Sequence, residues 1–204
     1  MSAIREKIVQ IAREEASPPP FGKVSDLDLD ADGNRAGWKR LKQYFDETVE
    51  GWNSGKWLDR GSIRFGKDTF QLTNLQGVQR PRMRVIQGKS KPSGVSWCGI
   101  FATWVWRQAG LENAQWAAGF GVKNNDVKRV AGRAGLQVGD IMVVYGAEVH
   151  HAIVAELPSV YDLDDGGTPD TSIITVNGNS TNQSIRIHNE YKLSNVAYYY
   201  TFPG

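Results

Sequence analysis

Residues 96–110 read SWCGIFATWVWRQAG, and this stretch sets the fold expected for the rest of the chain. It is apolar on nearly all sides and Gly110 suits the C-cap position, so it predicts a buried central helix over 96–109. Cys98, the only cysteine of the chain, lies at the start of that helix. Unpaired backbone N–H groups and the positive end of the helix dipole favour a thiolate there. The thiol is therefore a candidate nucleophile.

The chain separates into helices before this stretch and strands after it. Apolar residues recur every three or four positions over 3–16 and over 36–52, which predicts an amphipathic helix in each segment. Residues 55–91 are basic and glycine-rich without a sustained period, so we expect loops with one short strand pair. Beyond Gly139, short β-rich runs alternate with turn signals and predict an antiparallel sheet. These runs cover 141–145, 149–156, 172–176, 184–187 and 196–202. Helices followed by strands make an α+β domain.

Composition narrows the function classes. The 204 residues suffice for one well-buried domain. Lys plus Arg number 24 against 22 for Asp plus Glu, and this balance does not favour nucleic acid as a partner. One cysteine excludes an intramolecular disulfide. Residues 1–17 are interrupted by charges and lack the apolar core of a signal peptide, and no stretch approaches membrane-spanning length. We expect cytoplasmic synthesis, with any export by a route other than a cleaved leader.

Two adjacent histidines, His150 and His151, lie inside the predicted strand 149–156. Side chains alternate along a strand, which predicts that only one of the two rings faces the helix that carries Cys98. Each ring shares its face with apolar residues, so periodicity leaves the choice between them open. A histidine held on a rigid strand can take the thiol proton and later return one to a leaving amine.

Asn177 is a candidate for orienting that imidazole. It follows the predicted strand 172–176 and precedes Gly178, so it stands at a strand end beside the histidine strand. Its amide can accept a hydrogen bond from the ring and fix the tautomer, as in the Cys/His/Asn arrangement of papain-like proteases. The alternative interpretation is a turn residue, because Asn-Gly is a strong turn signal.

Four blocks, in this order, resemble the CHAP and NlpC/P60 peptidoglycan hydrolases, which are papain-like amidases and endopeptidases. The blocks are 96–105 (SWCGIFATWV), 138–141 (VGDI), 150–154 (HHAIV) and 176–180 (VNGNS), within roughly residues 85–202. The resemblance implies a papain-like α+β fold with N-terminal helices packed on a C-terminal antiparallel β-sheet. From the chain length we expect one compact unit, with an N-terminal helical extension, 1–55, packed on a catalytic domain, 56–204.

Carried over block by block, the resemblance implies that Cys98 is the nucleophile and that His150, two positions before Ala152, is the base. Asn177 falls where CHAP domains usually have Glu in a Glu-Gly-Asn pattern, and Asn179 matches the Asn of that pattern. This is a departure, because a neutral amide supplies no charge to stabilise an imidazolium. Asn179 is a second candidate for the orienting role. The backbone N–H of Cys98 would serve the oxyanion hole.

The implied function is that of a cysteine amidase or endopeptidase that cuts an amide bond in peptides of bacterial peptidoglycan through a Cys98 acyl-enzyme. Such an enzyme would act at the cell wall or in the periplasm, as an endolysin or a secreted antibacterial effector after non-classical delivery. We expect a monomer without cofactor or metal, and an immunity or inhibitor protein is a candidate partner. One alternative is a cysteine-dependent transferase or deamidase toxin that acts on protein. Another is a non-catalytic cell-wall-binding module on the same fold, with Cys98 kept for packing.

Calcium, zinc and sugar sites are each disfavoured by the sequence. Residues 28–33 reproduce the opening of a calcium-binding loop, but the twelfth position is Lys39, where such a loop needs a bidentate Glu. A zinc site is disfavoured, since one Cys and three His include no ligand pair at the usual helical spacing. The tryptophans of the central helix are interpreted as core rather than as a sugar platform. They are Trp97, Trp104 and Trp106.

Overall fold

The structure is a computed structural model. It covers residues 2–19, 22–24, 37–49, 62–65, 68–71, 83–86, 89–92, 96–117, 120–146, 149–158, 171–180 and 184–203. The helices are α1 (Ala3–Glu15), α2 (Trp38–Thr48) and α3 (Cys98–Ala109), with a short 3-10 helix at Leu193–Asn195. The first strands are β1 (Ser62–Phe65), β2 (Asp68–Gln71), β3 (Met83–Ile86), β4 (Lys89–Pro92), β5 (Gln115–Ala117) and β6 (Gly121–Lys123). The others are β7 (Lys128–Ala131), β8 (Ile141–Tyr145), β9 (Val149–Glu156), β10 (Ser172–Asn177), β11 (Arg186–Lys192) and β12 (Val196–Thr201).

The central sheet has six strands in the order β11-β10-β9-β8-β12-β7, and every neighbouring pair is antiparallel. The predicted α+β class with an antiparallel sheet is thereby confirmed. β8 and β9 have the predicted bounds, because their apolar runs end in clear turn signals. β10 extends one residue further than predicted and includes Asn177, while β11 lies at Arg186–Lys192 instead of 184–187.

α3 lies in the middle of the core. All its side chains except Arg107 and Gln108 are buried, as expected for a helix that is apolar on nearly all sides. It packs on β9 of the central sheet, and α1 and α2 pack against α3. Apolar residues of the three helices and of the central sheet belong to one hydrophobic cluster. This arrangement fixes the N-terminus of α3, and with it Cys98, against β9.

The N-terminal helices are fastened by buried charges. Arg5 on α1 is 3% exposed and binds Asp140, the residue before β8, at 2.8 Å. The same guanidinium donates to the carbonyl oxygen of Val138 at 2.8 Å. At the other end of α1, Glu15 accepts hydrogen bonds from Arg40 and Tyr44 of α2. Because each of these buried charges has a partner of opposite charge, polar as well as apolar contacts can hold α1 and α2 on the core.

Several strands were not predicted. In 55–91 we expected loops and one strand pair, but the backbone forms an antiparallel four-stranded sheet in the order β1-β2-β3-β4. β5 and β6 form a separate pair, and β7 is the edge strand of the central sheet. These strands have three or four residues each, too few to establish a period in the sequence. β7 is also exposed at most positions, so it lacks the apolar alternation of the inner strands.

Some of the sequence predictions concern residues outside the described part of the chain. The proposed boundary between residues 55 and 56, and Asp28, Asp30 and Asp32 of the calcium-like pattern, lie outside the described residues. Lys39 is in α2, one residue after its start. Within the described part of the chain, no helix is long and apolar enough to span a bilayer.

Candidate active site

Cys98 is the first residue of α3, and its side chain is buried, with the residue 2% exposed. The N–H of Phe101 donates to the carbonyl of Trp97 at 2.9 Å, which is the first turn of the helix. The amides of Cys98, Gly99 and Ile100 therefore precede the helical hydrogen-bond ladder. Their partial positive charge favours an anion on the sulfur, as the sequence predicted.

The sulfur lies at the edge of β9, where the pairing with β10 stops. The register between these strands runs to the pair Val176–Ile153. Two residues before Ile153 on β9, the backbone N–H of His151 points to the same side and donates to Sγ of Cys98 at 3.4 Å. The thiol thus takes the position at which a continued β10 would have supplied an acceptor. A group at a strand edge lies between the two faces of the sheet, so side chains of both faces can reach it.

Both histidines act on the thiol, which corrects the expectation that only one ring would face Cys98. Nδ1 of His151 lies 3.7 Å from Sγ, and His151 is 7% exposed. His150 also lowers the pKa of the Cys98 thiol, through hydrogen bonding and through its charge. The alternation of β9 sends the two rings to opposite faces, and both of them influence the sulfur at the strand edge.

His150 is oriented by Asn177. Nε2 of His150 is 2.9 Å from Oδ1 of Asn177, which is fully buried at the end of β10. Nδ2 of Asn177 donates to Oγ1 of Thr175 at 2.8 Å, so the amide oxygen is the atom presented to the ring. The ring therefore carries its proton on Nε2, and Nδ1 is the nitrogen left for the thiol proton. Asn177 is a strand residue and not a turn residue.

Asn179 does not contact His150. Its Nδ2 donates to Oγ of Ser96 at 3.4 Å, and this hydroxyl lies 3.2 Å from Sγ of Cys98. Asn179 has φ of 56°, in the left-handed region, so the chain turns sharply after β10 and brings this side chain back toward α3. The alternative that Asn179 orients the histidine is wrong for this structure; Asn177 occupies that position.

His151 is held by aromatic packing. Its ring is edge-on to Trp116 with centroids 4.9 Å apart, and it stacks on Tyr200 with centroids 6.3 Å apart. Trp116 in turn covers the helix start, since a Cβ on Gly99 would lie 2.1 Å from its ring. Trp116, Thr175 and Ser96 were not predicted as site residues. For Thr175 a signal exists, because residues two apart on a strand share a face and Thr175 precedes Asn177 by two.

The electrostatics of the site favour the thiolate. Burial raises the pKa of the Cys98 thiol, but hydrogen bonds from His150 and His151 and their charges lower it by more. The net pKa lies well below the ordinary value of a cysteine. A buried cysteine without such partners has a raised pKa and is inert. The arrangement can therefore supply a sulfur nucleophile, an oriented base and helix N–H donors for a developing oxyanion.

The tryptophans of α3 are core residues, as predicted. Trp97, Trp104 and Trp106 are at most 2% exposed. Trp104 and Trp106 donate their indole N–H to Glu47 and to the carbonyl of Gly139. Among the described residues, no group of three or more His, Cys, Asp or Glu side chains is placed to hold a metal ion.

Comparison of the chain with models of protein families, with curated protein sequences and with solved structures finds no match in any of the three. The geometry of the site and the four sequence blocks therefore carry the functional argument.

Proposed function

We propose that the protein is a cysteine hydrolase that cleaves an amide bond in peptides of bacterial peptidoglycan, through an acyl-enzyme on Cys98. The observation that carries the proposal is the thiol at a helix N-terminus between two imidazoles, one of which is tied to Asn177. A cysteine kept only for packing needs none of these partners. The non-catalytic alternative is therefore disfavoured.

We infer that the fold is papain-like. A central helix carries the cysteine at its N-terminus, the adjacent antiparallel strand β9 carries the histidine, and the next strand β10 carries the orienting amide. This order and placement agree with the four sequence blocks that resemble CHAP and NlpC/P60 enzymes. The peptidoglycan substrate, and a role as an endolysin or antibacterial effector, rest on that resemblance.

Acylation begins with attack of the Cys98 thiolate on the scissile carbonyl carbon. The S–C bond forms, the carbonyl π electrons move onto oxygen, and the Cys98 N–H stabilises the resulting charge. Collapse of this intermediate breaks the C–N bond. The proton that His150 took from the thiol passes from Nδ1 to the leaving amine, so the amine departs neutral.

Deacylation uses the same groups, with water in the place of the amine. His150 takes a proton from water, and the water oxygen attacks the thioester carbonyl. The C–S bond breaks, the acyl part leaves as a carboxylic acid, and the thiolate is restored beside a protonated His150. Asn177 holds the ring in one orientation during both proton transfers.

Digestion of purified peptidoglycan followed by mass spectrometry tests the proposal. The wild-type protein is expected to release fragments in which one water has been added across an amide bond. Cys98→Ala should release none while keeping its circular dichroism spectrum and unfolding midpoint. Turnover by Cys98→Ala would exclude covalent catalysis by this residue. Intact peptidoglycan after exposure to the wild-type protein would contradict the substrate assignment.

Acyl transfer to an amine is the second candidate, and the low exposure of Cys98 favours it. Cys98 is 2% exposed, so little water reaches the sulfur, and a bound amine then competes better for an acyl group held there. The same mass spectra decide between the two reactions. Transfer produces a new amide with no net addition of water, and its yield should rise with the concentration of added amine.

A further inference from the structure

Exposed apolar side chains lie on the face of the central sheet that carries His151. Tyr145 ends β8 and Val149 begins β9, and the two are direct partners in the register. They are 63% and 45% exposed. Directly opposed residues point to the same face, and residues two apart on a strand also share one. Tyr145 and Val149 therefore lie on the face of His151, and Val149 is two residues before it on β9.

A row of aromatic rings links this surface to the thiol. The ring centroids of Tyr145 and Tyr198 are 6.0 Å apart, and those of Tyr198 and Tyr200 are 5.6 Å apart. Tyr200 stacks on His151, which contacts the sulfur. Exposure falls from 63% at Tyr145 to 3% at Tyr200. The row thus runs from the protein surface at Tyr145 to the buried site at Cys98.

A cation stands beside the middle ring of the row. The Arg129 guanidinium lies 3.8 Å from the ring centroid of Tyr198, and Arg129 is exposed on the edge strand β7. Within the described residues, no carboxylate forms an ion pair with it. A guanidinium that stacks through its planar face keeps its N–H edges for hydrogen bonds, and these edges match a carboxylate.

We propose that the patch formed by Tyr145, Val149, Tyr198 and Arg129 binds the peptide on one side of the scissile amide, as a short anionic segment with small apolar side chains. This inference rests on the proposed function and adds a determinant of substrate choice. The aliphatic Val149 and the aromatic faces suit methyl groups of the peptide, while Arg129 pairs with one of its carboxylates. A neutral saccharide would use the rings but would leave the guanidinium without a partner.

Binding to the inactive Cys98→Ala protein tests the inference without turnover. The probes are a sugar-free stem peptide with a free glutamate carboxylate, the same peptide with that carboxylate amidated, and a peptide-free disaccharide. Titration calorimetry should show the acidic peptide binding about fivefold tighter than the amidated one, as expected for an exposed ion pair. Adding Arg129→Met should abolish this preference. Adding Tyr145→Ala should weaken both peptides to a similar extent.

Arg133→Met is the matched control, because Arg133 is an exposed arginine just beyond β7, and it should keep the preference. Equal affinity for the two peptides, a preference that survives Arg129→Met, or binding of the disaccharide alone would overturn the inference. If neither peptide bound, the inference would be overturned as well. Release of peptidoglycan fragments by the wild-type protein reports separately on the proposed function, so the two can fail independently.

Discussion

At the residue scale, the two histidines beside Cys98 differ in what holds them. His150 has a polar partner, Asn177, on the nitrogen remote from the thiol, whereas His151 is fixed by the rings of Trp116 and Tyr200. A base must keep one tautomer while protons move, and only His150 has a side-chain amide that imposes it. We therefore assign the proton transfers to His150 and treat His151 as a donor that steadies the sulfur.

His150→Ala should lower kcat/KM by roughly 10²–10⁴-fold, the usual contribution of a general base. His151→Ala should lower it less, because the thiol keeps its oriented base. His188→Ala is the matched control, since His188 contacts Ser180 and Glu190 instead of the thiol. Initial rates on released muropeptides measure all three. A larger loss for His151→Ala than for His150→Ala would reverse the assignment.

The pH dependence of Cys98 alkylation reports on the same contacts. Because the pKa of the thiol is well below its ordinary value, the iodoacetamide rate should reach half its plateau at a correspondingly low pH. Removing His150 or His151 takes away a group that lowers the pKa, so each change should move the midpoint upward. With both removed, burial raises the pKa and only the amides of the helix start oppose it, so the midpoint should lie above that of either single variant. The midpoint, unlike the absolute rate, does not depend on how easily the reagent reaches a buried sulfur. An unchanged midpoint in both single variants would contradict the two-histidine site.

Asn177→Ala should act through His150 alone. The ring would lose the acceptor for Nε2–H and could rotate or change tautomer, at a cost of about 10–100-fold in kcat with little change in KM. Thr175→Val should give a smaller loss in the same direction, because Thr175 only fixes the amide of Asn177. Exposed Asn125→Ala serves as the control in the same kinetic assay. A change confined to KM would argue for a role in substrate binding instead.

At the scale of elements, the start of α3 depends on contact with the β5–β6 pair. Ala is normally favoured over Gly in a helix by about 0.5–1 kcal/mol. At Gly99 a Cβ would lie 2.1 Å from the ring of Trp116, so Gly99→Ala should instead destabilise the protein by about 1–3 kcal/mol. It should also slow catalysis, because displaced Trp116 no longer supports His151. Urea unfolding and initial rates measure the two effects. A gain in stability would show that Trp116 is free to move.

The elements found from the sequence are those whose pattern is local. β8, β9 and α3 have long apolar runs with turn signals at their ends, and their positions follow from periodicity. β7 is a short, exposed edge strand and lacks such a pattern. The contact of His151 with Cys98 could not be predicted either. It depends on the point at which β10 stops pairing with β9, and that point is set by long-range packing and not by neighbouring residues.

At the scale of the whole molecule, the N-terminal helices share one hydrophobic core with α3, the helix that carries Cys98. Leu41 and Phe45 of α2 and Ile8 and Ala12 of α1 are completely buried in the cluster that contains α3. Glu15 joins the two helices, and although burial raises its pKa, hydrogen bonds from α2 and Lys23 give a net lowering. These contacts indicate a structural role for the two helices.

Arg5→Met tests whether α1 is needed for the fold. It leaves the carboxylate of Asp140 buried without its cation, so we expect a loss of about 3–5 kcal/mol near neutral pH. Burial already raises the pKa of Asp140, and Arg5 is the leading influence that lowers it. Without Arg5 the folded-state pKa rises further above the unfolded value. A carboxyl whose pKa is raised by folding stabilises the fold at low pH, and this contribution is lost as the pH rises through the folded-state pKa.

The cost of Arg5→Met should therefore be smaller at about pH 5 than at about pH 7, where Asp140 must ionise without a partner. Urea unfolding of wild type and variant at the two pH values measures the difference. In the Asp140→Asn background the carboxyl is absent, so the cost of Arg5→Met should no longer depend on pH. A cost that is the same at both pH values in the wild-type background would mean that it comes from the other contacts of Arg5, such as the hydrogen bond to the carbonyl of Val138, and not from the ion pair. In that event the ion pair would set the position of α1 and contribute little to the free energy of unfolding.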